Sequence, residues 1–140
     1  MISILKALLQ AAQAHAEAIA PYESCGLLLG YDGVITELRE CENVAAKDKR
    51  RNFELDPQCM IRAQREARES KIDVMGVWHS HPGGQAVVSD RDKESSVYKN
   101  WYWLVTATGE HAGHALFKAA EDPHDLRPTD FKVVAGSGPC

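Results

Sequence analysis

The 140-residue chain has no uninterrupted apolar stretch approaching the ~18 residues needed to cross a bilayer, which argues against a membrane-spanning helix. Its N-terminal segment carries Lys6, Gln10, Gln13, His15 and Glu17 inside an apolar run, the pattern of an amphipathic helix and a poor secretion signal. Cysteine is scarce. Cys25, Cys41, Cys59 and Cys140 show no C-x-x-C spacing and no dense disulfide framework, so they read as small buried apolar residues in a reducing cytoplasm. A large excess of charge is lacking too. With 16 Lys and Arg against 20 Asp and Glu, the formal net charge of -4 offers no general attraction to nucleic acid or to an anionic membrane. Lys47, Lys49, Arg50 and Arg51 form one local basic cluster, read as a solvated loop. No internal repeat or linker is visible. What remains, at 44% hydrophobic and 26% charged residues, is the composition of one folded domain with a single sizeable core.

Apolar residues at Ile4, Leu5, Leu8, Leu9, Ala12, Ala16 and Ile19 recur at helical spacing until Pro21, which predicts an opening helix over Ile4 to Ile19. CGLLLG, from Cys25 to Gly30, reads as a buried strand, and Asp32-Gly33 turns it into a second strand over Val34 to Leu38. NFEL, from Asn52 to Leu55, predicts a further strand. Asp56 as N-cap and Pro57 at the first helical position then open a helix to about Ser70. DVMGVWHSH predicts a central strand, Ser89 the start of a helix to about Tyr98, and WYWLVTA and HALFKAA two more strands. Elements mixed in this way predict an α+β domain, a mixed and mostly antiparallel sheet flanked by helices. The segment AGSGPC has too little apolar content to hold itself down, so the domain is expected to cover residues 1–134 with a flexible tail at 135–140.

The chemistry concentrates in HSHPGGQAVVSDRD. Residues i and i+2 of a strand project from one face, so His79 and His81 aim their imidazoles at a common point while Ser80 points away. Pro82 ends the strand, and Gly83 with Gly84 lets the chain turn back sharply. Ser89 is a good N-cap, and Asp92, three residues on, shares the first helical turn with it. Two neutral imidazoles and a carboxylate, with a fourth position for water, are the ligand set of a hydrolytic zinc site. Such a site also needs a base from outside the motif. Glu23, just before the buried strand at Cys25, is placed to be exposed at the end of the sheet beside it.

Taken together, E-x-C-G-L-L-L-G near the N-terminus, then H-S-H-P, with seven residues between His81 and Ser89, and S-x-x-D resemble the JAMM (MPN+) zinc metalloprotease family. The resemblance runs from the first helix to about Lys118, and Val88 stands where many members have proline. It implies a cytidine-deaminase-like JAMM/MPN fold, one zinc ion on His79, His81 and Asp92, Glu23 as general acid and base, and Ser89 as a hydrogen-bond donor to the oxyanion. The chain lacks room for the insertions with which eukaryotic members grip two ubiquitins, and is more similar to compact bacterial members. That likeness implies hydrolysis of an amide bond at the C-terminal tail of a ubiquitin-like sulfur-carrier protein in the cytoplasm.

Two other classes remain open at this point: a nucleic-acid-associated protein like the RadC family, which shares H-x-H-P and S-x-x-D, and a metal-free MPN scaffold. The acidic balance and the E-x-C-G segment oppose the first, and the full set of ligands opposes the second. His111 and His114 have no third ligand nearby and are not expected to hold a second metal. Trp78, Trp101, Tyr102 and Trp103 read as core or sheet-face aromatics, with the Trp78 ring under the site.

Overall fold

The computed structural model describes residues 1–135, so the expected tail lies, apart from Ala135, outside the described residues. One eight-stranded sheet runs through the molecule. Its strands are β1 (Ile2–Leu5), β2 (Cys25–Tyr31), β3 (Val34–Cys41), β4 (Asp73–His81), β5 (Tyr102–Ala107), β6 (Gly113–Ala119), β7 (Leu126–Pro128) and β8 (Phe131–Val134). Their order is β7-β6-β5-β4-β2-β3-β1-β8. The neighbour pairings β2–β3, β2–β4, β5–β6 and β6–β7 are antiparallel, and β4–β5, β1–β3 and β1–β8 are parallel, so the α+β class with a mixed sheet holds.

Helix α1 (Lys6–Ile19) buries Leu8, Leu9, Ala12 and Ala16, spaced to form one stripe, against one face of the sheet. There it meets Ile4, Leu28, Ile35, Trp78, Leu104 and Leu116. Helix α2 (Pro57–Ser70) covers the other face, where Ala63 and Ala67 pack on Leu27 and Leu29. It starts as expected: the Asp56 side chain accepts from the Gln58 N–H, and Pro57 occupies the first turn. Helix α3 (Asp90–Ser95) is a short element that follows β4.

Four expectations need correction. The opening helix begins at Lys6, because Ile2–Leu5 is drawn into the sheet between β3 and β8. Asn52 to Leu55 is not a strand: one bridge, Asn43 to Leu55, is its only pairing among the described residues. The helix after Ser89 stops at Ser95, well short of Tyr98. Cys41 and Cys59 are joined in a disulfide, and only Cys25 among the described cysteines is free. Eighteen residues separate that pair in sequence. Only the packing of α2 beside β3 brings them together, which spacing alone does not reveal.

Candidate metal centre

Two neighbouring strands build the centre. β2 and β4 pair antiparallel with Cys25 opposite His79. Continuing that register by two places sets Glu23 opposite His81. Between them Ser24 and Ser80 are locked together, Ser80 N–H to the Ser24 carbonyl at 3.0 Å and Ser24 N–H to the Ser80 hydroxyl at 2.7 Å. Alternation then does the rest. Glu23, His79 and His81 share one face of the sheet, while Trp78 buries its ring in the α1 core on the opposite face and donates from Nε1 to the Thr106 hydroxyl at 2.8 Å. Thr106 is also 2.8 Å from His114 Nδ1, which ties that histidine to the core side.

Asp92 arrives from α3. Ser89 and Asp92 form a reciprocal capping box: the Asp92 N–H donates to the Ser89 hydroxyl at 3.1 Å, and the Ser89 N–H donates to Asp92 Oδ2 at 2.9 Å. The same Oδ2 lies 3.1 Å from His79 Nε2 and 3.3 Å from His81 Nε2, and the two Nε2 atoms are 2.9 Å apart. His81 Nδ1 faces the Gln85 carbonyl at 3.0 Å. That partner assigns the proton of neutral His81 to Nδ1 and leaves its Nε2 lone pair directed at His79. Phe53 stacks on His79 with ring centroids 4.6 Å apart, and Trp103 meets it edge-on at 5.6 Å.

Burial sets the electrostatics. His79 is fully buried, and desolvation lowers its pKa. Desolvation acts the same way on His81, but hydrogen bonds to Asp92 and the Gln85 carbonyl outweigh it and raise its pKa. Burial would raise Asp92, yet hydrogen bonds from both histidines and from the Ser89 N–H hold its carboxyl well below the usual carboxylate range. Glu23, expected to be exposed, is instead buried, and its shift runs the other way. Burial pushes it up to about 7, with the Asp92 charge adding to the shift and His81 and Arg91 opposing it.

These residues fit a divalent cation of the zinc type. A tetrahedral ion bound at roughly 2.0–2.1 Å separates its ligand atoms by roughly 3.3–3.4 Å, close to the observed 2.9–3.3 Å triangle. Without a cation, two imidazole nitrogens and a carboxylate oxygen converge with few protons to share among them. His79 Nδ1, the ring nitrogen turned away from this triangle, is buried without a hydrogen-bond partner among the described residues. Glu23 also falls near: its carboxylate and the His79 and His81 nitrogens lie within 4.8 Å of one another. Of the two carboxylates, Asp92 is the nearer to both rings and is held ionised, while Glu23 stands further off.

All five residues singled out from sequence therefore meet at one place. The sequence reading missed what surrounds them. The basic loop is exposed, as expected, yet it folds against the centre: the Glu23 N–H donates to the Lys49 carbonyl at 2.8 Å, and Arg91 Nη1 donates to the Arg51 carbonyl at 2.7 Å. Asn43 anchors the base of that loop, donating from Nδ2 to the Glu23 carbonyl at 3.0 Å and to the Asn52 carbonyl at 2.9 Å. Backbone contacts of this kind leave no residue-type signal. The one available hint was the basic cluster itself.

An eight-stranded mixed sheet with two histidines of β4, the capping aspartate of α3 and the glutamate before β2 defines a class, and the chain matches it by sequence as well. The chain belongs to the Prok-JAB family, the prokaryotic homologues of the JAB domain, whose model matches residues 5–119. It is 32% identical over 97 residues to a desampylase of Pyrococcus furiosus, an alignment that covers 67% of this chain and 66% of that relative. The chain thus spans just under two thirds of the length of that relative. Among solved structures it is similar to a protein from Desulfitobacterium hafniense, with a TM-score of 0.83, 23% identity, and 97% of this chain and 94% of that one covered. It is also similar to a JAB1/MPN domain protein from Archaeoglobus fulgidus, with a TM-score of 0.63, 18% identity, and 96% and 97% covered. At such identities the two structures speak for the fold alone.

Proposed function

We propose that the protein is a zinc-dependent hydrolase that cleaves an amide bond at the C-terminal tail of a ubiquitin-like protein, of the sulfur-carrier kind. The single observation that carries this reading is the convergence of His79, His81 and Asp92 within 2.9–3.3 Å of one another, with the Glu23 carboxylate beside them. His79, His81 and Asp92 would hold one zinc ion. Bound there, zinc would supply Lewis-acid chemistry, polarising the scissile carbonyl and bringing the pKa of a water to about 7. Glu23 takes one proton from the attacking water and delivers it to the departing amine. The Ser89 oxygen already accepts the Asp92 N–H, which leaves the hydroxyl proton for the carbonyl oxygen as that atom gains charge. The water oxygen bonds to the carbonyl carbon, the C–N bond breaks, and a carboxylic acid and an amine leave.

The desampylase name of the Pyrococcus relative supports a ubiquitin-like conjugate as substrate. The sulfur-carrier specificity rests on the resemblance of the motifs to compact bacterial members. Among the described residues no helix is long and apolar enough to cross a membrane. We place the protein in the cytoplasm.

The test is to incubate the protein with a sulfur-carrier protein extended beyond its diglycine and to follow its mass, alongside metal analysis. About one zinc per chain and loss of the extension are expected, abolished by a chelator. Glu23→Gln should keep the metal and lose turnover, and His79→Ala should lose both. A metal-free protein, or a Glu23→Gln variant at full rate, would overturn the reading.

A further inference from the structure

Beside the metal centre lies an open cavity of about 380 Å³ lined by Glu23, His81, Ser89 and Asp90 together with three arginines, Arg50, Arg51 and Arg91. The three are not equivalent. Arg50 is spent on Asp48, with Nε 3.0 Å from Oδ1 and Nη2 3.2 Å from Oδ2. Among the described residues no carboxylate pairs with Arg51 or Arg91, and the one hydrogen bond of the Arg91 side chain goes to the Arg51 backbone carbonyl. That bond places both arginines on the same wall of the cavity. It links the loop before α2 to the first turn of α3. Glu23 and Asp90 share the lining, so the cavity carries both signs of charge, and Arg51 and Arg91 are its two cations without an ion pair among the described residues.

From this placement we infer that Arg51 and Arg91 form a carboxylate subsite, which binds an anionic group of the substrate next to the bond that is cut. Guanidinium forks match a carboxylate in shape and charge, and their charge-assisted hydrogen bonds are stronger than neutral ones. The cavity accommodates a peptide segment of one or two residues. Two sources have this chemistry: the free α-carboxylate of a residue just past the scissile bond, and an acidic side chain at that position. The inference deepens the proposed hydrolase reading and rests on it for the position of the scissile bond. The preference for a carboxylate is a property of the cavity itself.

Four peptides separate the possibilities: one that ends Gly-Gly-Ala as a free acid, the same peptide amidated, and amidated peptides that end Gly-Gly-Glu and Gly-Gly-Gln. The zinc-loaded protein should cleave at least one carboxylate peptide roughly three- to tenfold faster than its neutral partner, the range of a partly exposed charge-assisted contact. Which pair shows the difference identifies the source. Arg51→Gln, at an exposed side chain without an ion pair, should bring that ratio to about one, and Arg51→Lys should keep part of it. Binding gives a second readout. In protein with Glu23→Gln, the side-chain Nε–H signals of Arg51 and Arg91 should shift with the carboxylate peptide and stay in place with the neutral one.

A ratio of about one in the unsubstituted protein for both pairs, or a ratio that survives Arg51→Gln, would overturn the subsite. Unmoved arginine signals would do the same. If no peptide is cut while the arginine signals still shift, the hydrolase reading falls and the carboxylate subsite stands.

Discussion

Replacing Asn43 by alanine probes whether the loop after β3 holds Glu23, the proposed base, in place. The side chain makes four hydrogen bonds: Nδ2 donates to the carbonyls of Glu23 and Asn52, and Oδ1 accepts from the N–H groups of Ala45 and Glu54, all at 2.9–3.1 Å. At about 1 kcal/mol net for each, the ceiling on the loss is about 4 kcal/mol. Asn43 is only half-buried and Glu54 is exposed, so several abandoned groups can turn to water, which brings the expected loss to about 2 kcal/mol. A domain holds about 5–15 kcal/mol in reserve, so the variant folds. With a urea dependence of about 2 kcal/mol per molar, its unfolding midpoint should fall by about 1 M.

The same substitution frees the Glu23 carbonyl, while the bond from the Glu23 N–H to the Lys49 carbonyl remains. Zinc should stay bound, because Asn43 touches none of His79, His81 and Asp92. The turnover number, in contrast, should drop roughly tenfold or more, since small misplacements of a reacting group are expensive. Asn43→Asp keeps both acceptor bonds and loses both donor bonds. It also sets a carboxylate oxygen against the Glu23 and Asn52 carbonyls, so it should recover neither the stability nor the rate. An unfolding midpoint within about 0.3 M of the parent, or an undiminished rate for Asn43→Ala, would refute the claim that this side chain positions Glu23.

Two further outcomes concern stability. Reducing the Cys41–Cys59 bond, which closes a loop across 18 residues, should lower the unfolding free energy by about 3 kcal/mol, measured by denaturant titration with and without reductant. Gly76→Ala should cost about 3 kcal/mol or more, because the added methyl would collide with the Tyr102 backbone of β5 where the two strands pair. A near-neutral Gly76→Ala by the same titration would mean that β4 and β5 are further apart than described.

How much of this was legible in the sequence depended on whether the signal was local. The start of α2 was readable because Asp56 and Pro57 are themselves the capping chemistry. The hairpin was readable because Asp32 and Gly33 both adopt positive φ, 51° and 73°, as its turn demands. β1 was not, since Ile2 to Leu5 merges into the apolar pattern of α1 and becomes a strand only through distant partners in β3 and β8. β7 and β8 escaped notice for the same reason: each is short and lies at an edge of the sheet. Asn52 to Leu55 alternates like a strand but finds almost no partner, and Phe53 packs against the His79 ring instead. At the centre, the ligand set showed itself through strand alternation and helix capping. Its setting of Lys49, Arg51, Arg91 and Gln85 depends on backbone carbonyls and loop placement, which residue identity does not encode.

The register between β2 and β4 has a consequence for how such a molecule can be re-engineered. Glu23, His79 and His81 sit on adjoining rails of one sheet, so their mutual distance is inherited from strand spacing and owes nothing to the length of chain that joins Tyr31 to Asp73. Exposed side chains of the loop at residues 45–51 can accordingly be exchanged, provided that the backbone contacts of Lys49 to the Glu23 N–H and of Arg51 to Arg91 are kept. Grafts there would retune which tails are admitted, whereas a one-residue slip within Cys25 to Tyr31 would turn the glutamate to the wrong side of the sheet and silence the centre outright.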